Sequence, residues 1–192
     1  MSDIQIQTIS QQQSVWGECP IWWKGALYYV DTNGCKIIRF DPDSGAEQVW
    51  DMGERVGTVV PTSQGDFLYA GDLGITRWNP ETGEKVVLAD PESEKRGDNR
   101  FNDGKCDPSG RFWAGTISTV KKTGDAKLYM LDLAGELEAK IPAVTNSNGI
   151  RWGADKTKLY YIDTPTHAVM AYDYNDATGA ISNPNKAIDT AA

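Results

Sequence analysis

Apolar and aromatic residues gather into short runs that return at regular distances along the chain. Four runs stand out: Leu27-Tyr28-Tyr29-Val30-Asp31, Phe67-Leu68-Tyr69-Ala70-Gly71, Arg111-Phe112-Trp113-Ala114-Gly115 and Leu159-Tyr160-Tyr161-Ile162-Asp163. Their first residues are 40, 44 and 48 positions apart. A turn precedes each run: Lys24-Gly25, Gln64-Gly65-Asp66, Pro108-Ser109-Gly110 and Ala154-Asp155-Lys156. A second strand-like run follows each, at Ile37–Phe40, Ile75–Trp78, Leu128–Leu131 and Val169–Tyr172. Each second run closes on a polar turn that starts at Asp41, Asn79, Asp132 or Asn175 and reaches glycine at Gly45, Gly83, Gly135 or Gly179. A unit of about 40 to 50 residues holding several short strands is the period of a β-propeller blade. No segment keeps a helical period. Residues 84–98 come nearest, but Pro91 interrupts them and Glu92–Asp98 reads as a charged loop. The pattern predicts an all-β fold, a β-propeller, in one domain over residues 1–192. The repeats run roughly over 16–56, 57–99, 100–146 and 147–192. A β-sandwich is the alternative, and it would not require so regular a repeat.

The same period aligns polar residues. Glu18, Thr58 and Asn102 each lie ten positions before an aligned residue (Tyr28, Leu68 and Phe112), and Asn148 lies twelve before Tyr160. All four fall where the innermost strand of a blade begins. In a propeller those places ring one mouth of the central channel, so residues distant in sequence converge there.

Composition narrows the chemistry. Net charge is −8, from 27 acidic against 19 basic residues, and no stripe of Lys and Arg forms, so nucleic acid is not an expected partner. There is one histidine, His167, which excludes a multi-histidine zinc site within this chain. A metal site here must use carboxylates, amides and carbonyls, which suit Ca²⁺, Mg²⁺ or Mn²⁺. His167 lies in a loop and reads as a surface or packing residue. Seven Trp, eight Tyr, 19 Gly and nine Pro fit short strands and tight turns. Tyr28, Trp113 and Tyr160 are expected in the core between blades. Cys19, Cys35 and Cys106 are odd in number and widely spaced, which points to free thiols in a reducing, cytoplasmic setting. The Gln-rich start lacks the apolar stretch of a signal peptide, and no apolar run has the length to span a membrane. Oligomeric state is left open.

Three motifs carry a resemblance. Gly17-Glu18-Cys19-Pro20-Ile21-Trp22 is one. Arg100-Phe101-Asn102-Asp103-Gly104-Lys105-Cys106-Asp107-Pro108-Ser109-Gly110-Arg111, continuing to Gly115-Thr116, is the second and most specific. Ser147-Asn148-Gly149-Ile150 with Tyr160-Tyr161-Ile162-Asp163 is the third. Together with Ala171-Tyr172-Asp173-Tyr174 they resemble, in order, the motifs of the gluconolactonase/regucalcin family of six-bladed, metal-dependent propellers that hydrolyse sugar lactones. The resemblance implies Glu18 and Asn148 as metal ligands and Arg100 and Asn102 as contacts to substrate or metal-bound water. It implies a divalent cation, Ca²⁺ first, with Zn²⁺, Mn²⁺ and Mg²⁺ as alternatives, and a small sugar lactone as substrate. The family's third ligand, an aspartate that is also its proposed general base, has no counterpart here. No catalytic residue is therefore assigned.

On this reading the chain covers about four of six blades and stops short of that aspartate. It is expected to bind a cation weakly and to turn over little or no lactone alone. The alternative is a calcium- or sugar-binding propeller piece without turnover. The residues themselves add two expectations. Asp103 should face away from Asn102 and play a structural hydrogen-bonding role. Asp31 and Asp163, at strand ends, should accept bonds from turn amides. The segment Ile117-Ser118-Thr119-Val120 stands where some relatives carry an acidic substrate contact.

Overall fold

The chain folds into four four-stranded antiparallel sheets, each with its strands neighbours in chain order. The computed structural model describes residues 4–191. The first sheet holds β1 (Gly17–Trp23), β2 (Ala26–Asp31), β3 (Lys36–Phe40) and β4 (Glu47–Asp51). The second holds β5 (Val56–Pro61), β6 (Phe67–Gly71), β7 (Gly74–Trp78) and β8 (Lys85–Ala89). The third holds β9 (Asn99–Cys106), β10 (Phe112–Ser118), β11 (Ala126–Leu131) and β12 (Leu137–Val144). The fourth holds β13 (Ser147–Trp152), β14 (Lys158–Asp163), β15 (Ala168–Asn175) and β16 (Ala180–Asp189). The first strand of each sheet packs against the first strand of the next, β1 on β5, β5 on β9 and β9 on β13. Sheets arranged this way are the blades of a propeller, and the all-β expectation holds.

Apolar side chains leave each blade toward its neighbour and bury a core between them. Val30, Ile37, Val59, Phe67 and Trp78 join blades one and two. Ala70, Ile75, Phe101, Phe112 and Leu131 join blades two and three. Trp113, Leu128, Ile150, Leu159, Tyr161 and Tyr174 join blades three and four. Aromatic rings meet edge-on in two of these layers, Trp50 with Trp78 at 5.1 Å and Trp113 with Trp152 at 5.6 Å. Trp113 and Tyr28 take the expected core positions. Tyr160 does not. It is 39% exposed, because the two-residue alternation of β14 buries Leu159 and Tyr161 and turns Tyr160 outward.

The polar turn after the third strand is one device used four times. The side-chain oxygen of its first residue accepts two backbone N–H groups of the turn. Asp41 takes Asp43 and Ser44, Asn79 takes Glu81 and Thr82, Asp132 takes Ala134 and Glu136, and Asn175 takes Ala177 and Thr178. Asp31 accepts from the amides of Val15, Trp16 and Gly34, and Asp163 from those of Thr145 and Asn146. These bonds fix the chain as it enters β1 and β13.

Blades three and four also share a buried ion network. The Asp107 carboxylate, fully buried, accepts from Arg111 Nε at 2.6 Å, Tyr174 Oη at 2.8 Å and Trp113 Nε1 at 3.0 Å. Burial pushes this carboxyl up. The bonds from Arg111, Tyr174 and Trp113 outweigh that and hold it below the ordinary carboxylate range. A depressed native pKa contributes stability above the unfolded-state value, and that contribution is lost as pH falls through the native one. Arg111→Ala leaves Asp107 charged and short of donors and should lower stability by about 3 kcal/mol or more. Urea unfolding would show this at neutral pH, with a shallower loss of stability on acidification than in the wild type. An unchanged midpoint contradicts the network's role.

Candidate functional site

All four innermost strands carry a β-bulge at the same level. In β1 the register with β2 slips between Glu18 and Ile21. In β5 it slips between Val56 and Thr58, in β9 between Asp103 and Phe101, and in β13 between Asn148 and Ile150. The extra residues are Cys19 with Pro20, Gly57, Asn102 and Gly149. A bulge bends its strand and re-aims the side chains beside it. Here four bulges line one end of the innermost strands, which is the mouth that the repeat marks. Cys19 and Gly149 both take left-handed backbone, with φ of 50° and 52°.

The candidate ligands Glu18 and Asn148 stand beside those two residues. Both side chains are exposed. Glu18 Oε1 accepts from Trp16 Nε1 at 3.0 Å, and Asn148 Oδ1 accepts from the Gly149 amide at 3.1 Å. Ser147, Asn148 and Gly149 lie within β13.

Between them sits Asp103. Its Oδ1 accepts from the Cys19 thiol at 3.0 Å and from its neighbour Gly104 N at 2.7 Å. Its Oδ2 accepts from Gly149 N at 2.8 Å. Burial pushes the Cys19 thiol up to about 12, with the Asp103 charge adding to it, so the sulfur stays protonated and able to donate.

Arg100 and Asn102 meet. Arg100 Nη1 donates to Asn102 Oδ1 at 3.1 Å and to Phe101 O at 2.8 Å. Asn102 Nδ2 donates across to blade four, to Ser147 O at 2.8 Å and Asn146 Oδ1 at 3.2 Å. Thr58, the ring position of blade two, is fully buried and donates to Gly104 O at 2.9 Å, so it braces the ring and does not face the channel. His167 lies exposed beside the short Thr164–Thr166 turn.

Sequence reasoning missed Arg55. It sits just before β5, at the level of Arg100, because Gly57 abuts the carbonyls of Phe101 and Asn102. Its Nε bonds both carboxylate oxygens of Asp72, at 3.1 and 3.0 Å. Burial pushes the Arg100 guanidinium down and nearby Arg55 adds to this, while Asp72 and Glu18 oppose it. The signal was available: Arg55 opens an innermost strand, where the repeat already marks the mouth.

Comparison with known proteins bears on this arrangement. The family model described as SMP-30/Gluconolactonase/LRE-like region matches residues 16–192. The chain belongs to this family. Within it, the Bacillus subtilis (strain 168) protein named "Putative sugar lactone lactonase YvrE" is 33% identical over 174 residues, covering 90% of this chain and 59% of its own length. Regucalcin of Oryctolagus cuniculus is 34% identical over 190 residues, covering 95% of this chain and 63% of its own. The chain thus spans about 60% of the length of these relatives. Among solved structures, a luciferin-regenerating enzyme superposes with a TM-score of 0.87 at 25% identity, over 93% of this chain and 62% of that one. A calcium-binding protein, regucalcin, from Agrobacterium tumefaciens str. C58 superposes with a TM-score of 0.88 at 24% identity, over 94% of this chain and 62% of its own, and supports the fold.

The Agrobacterium tumefaciens protein is described as calcium-binding, and the donors at the mouth of this chain can be weighed against such an ion. Two exposed side-chain oxygens, one a carboxylate and one an amide, suit a hard divalent ion. No three His, Cys, Asp or Glu side chains cluster to hold a metal among the described residues. The donor chemistry fits, with fewer protein ligands than the six to eight oxygens of a typical calcium shell.

The mouth depends on close backbone approach. A Cβ on Gly57 would meet Phe101 O at 2.6 Å and Asn102 O at 2.7 Å, both rigid main-chain atoms. Gly57→Ala should force blades two and three apart and lower stability by about 1–3 kcal/mol. Thermal unfolding, with amide shifts at Asn102 and Ser147 as a local readout, checks this. An unchanged melting temperature and unchanged shifts would contradict it.

Proposed function

We propose that this chain carries the cation- and substrate-binding mouth of a sugar lactone hydrolase. In this reading Glu18 and Asn148 hold a divalent cation, Ca²⁺ first, with Zn²⁺, Mn²⁺ or Mg²⁺ able to take its place. Such a cation, when bound, polarises the lactone carbonyl and acidifies a water. The substrate is a small sugar lactone and the product its aldonic acid.

The observation that supports the reading is that Glu18 and Asn148 adjoin bulged residues, Cys19 and Gly149, that both bond Asp103, next to an Asn102 bonded to Arg100, in a family member. Arg100 supplies orientation. Its Nη1 is fixed by Asn102 and Phe101, which presents the remaining guanidinium N–H groups as a pre-set fork for sugar oxygens. Asn102 acts through Arg100 and through blade four, since its own oxygen and nitrogen already have protein partners. Pre-orientation of this kind lowers the entropic barrier of bringing the carbonyl to a nucleophile. The acceptor of the water's proton is not assigned to any residue here. Three free cysteines fit the reducing, cytoplasmic setting that forms part of the proposal.

A second reading, cation or sugar binding without turnover, is favoured by the small number of clustered acidic groups. Hydrolysis of gluconolactone with added Ca²⁺, Zn²⁺ or Mn²⁺ separates the two. The lactonase reading expects a weak, cation-dependent rate above the spontaneous one, abolished in Glu18→Ala. Equal rates for both proteins, at the spontaneous background, overturn it and leave the binding reading.

A further inference from the structure

Asp103 lies between the two candidate ligands, yet its own acceptor sites are turned to the protein. A carboxylate offers about four lone-pair positions, and three donors already occupy this one: the Cys19 thiol and Gly104 N on Oδ1, and Gly149 N on Oδ2. Two of those donors belong to other blades. Cys19 is the residue after Glu18, and Gly149 the residue after Asn148. Both occupy bulges and both hold left-handed backbone, which a non-glycine residue such as Cys19 adopts only when its surroundings impose it.

We propose that Asp103 is a positioning residue. Its carboxylate sets the spacing between Glu18 and Asn148 by gripping the neighbour of each, and through that spacing it governs divalent-cation affinity at the mouth. The proposal rests on the reading of Glu18 and Asn148 given above and names the group that regulates their geometry. Each ligand is one peptide unit from its anchor. A shift of the carboxylate therefore moves both oxygens, and loss of either bond frees one of them. Groups that orient ligands from behind commonly change metal affinity 10- to 100-fold when removed.

The thiol offers a clean handle, because it is not itself a candidate ligand. Mn²⁺ titration, followed by the electron paramagnetic resonance of the free ion, compares four forms of this chain: wild type, Cys19→Ala, Cys19→Ser and Glu18→Gln. Cys19→Ala should weaken binding about tenfold. Cys19→Ser, which restores a donor of similar reach, should recover affinity to within about threefold of wild type. Thermal unfolding should be alike for both Cys19 variants. Wild-type affinity in Cys19→Ala, or a Cys19→Ser as weak as Cys19→Ala, overturns the proposal. If Glu18→Gln binds as the wild type does, or the wild type binds no Mn²⁺, the cation reading of the mouth fails and the effect on affinity falls with it.

A cation-free readout judges the grip by itself. Hydrogen exchange of the Gly149 amide should quicken in Asp103→Ala and stay as in wild type in Glu18→Gln. Equal exchange in Asp103→Ala and wild type overturns the grip whether or not Mn²⁺ binds.

Discussion

One carboxylate brings three blades to a common point. The Cys19 thiol and the Gly149 amide approach Asp103 from 84 residues before it and 46 residues after it. A hydrogen bond to a charged acceptor contributes about 1.5–3 kcal/mol net, and this carboxylate receives two from other blades. Around it, Thr58 reaches Gly104 O from blade two and Asn102 reaches Ser147 O in blade four. Each of the other three blades thus sends a bond to the bulged Asn102–Gly104 stretch of β9, or receives one from it. The mouth keeps its shape because that short segment is held from all sides.

The rest of the architecture delivers the strands to that place. Aromatic and aliphatic layers fix how far apart successive blades sit, and Gly57 lets β5 touch β9 at the level of the bulges. The Asp107–Arg111–Tyr174 network ties blades three and four again, beyond the far end of β9. Strand β9 is thus held midway along its length at Asn102 and Asp103, and it runs on into the Asp107 bonds. Arg100, two residues before Asn102, is held by its own bonds to Phe101 O and Asn102 Oδ1, which gives it the fixed placement an orienting residue needs.

Much of this was legible in the chain itself. The runs at Leu27, Phe67, Arg111 and Leu159 have the period of a blade, and the turn residues Asp41, Asn79, Asp132 and Asn175 make the bonds their chemistry favours. The ring positions were legible because a repeat converts sequence distance into a common height. What was hidden is geometry that breaks the period. A bulge adds one residue to a strand, and nothing in Gly17-Glu18-Cys19-Pro20 says that Cys19 will turn left-handed to meet a carboxylate 84 residues away. Tyr160 went astray for a similar reason. Both tyrosines of Tyr160-Tyr161 suit a core, and only the register with β15 decides which one points inward. Arg55 shows in the sequence only through its place just before β5, since its partner, Asp72, lies across a hairpin and makes no local pattern with it.

The central claim is a division of labour: Glu18 and Asn148 bind, and Asp103 braces. A crystal structure of this chain soaked with Mn²⁺ tests it most directly, through the anomalous signal of the ion. The account predicts one anomalous peak coordinated by the Glu18 carboxylate and Asn148 Oδ1, with Asp103 still bonded to Cys19 and Gly149 and outside the coordination shell. A peak away from Glu18 and Asn148, or an Asp103 that has left Cys19 and Gly149 to bind the metal, would contradict it.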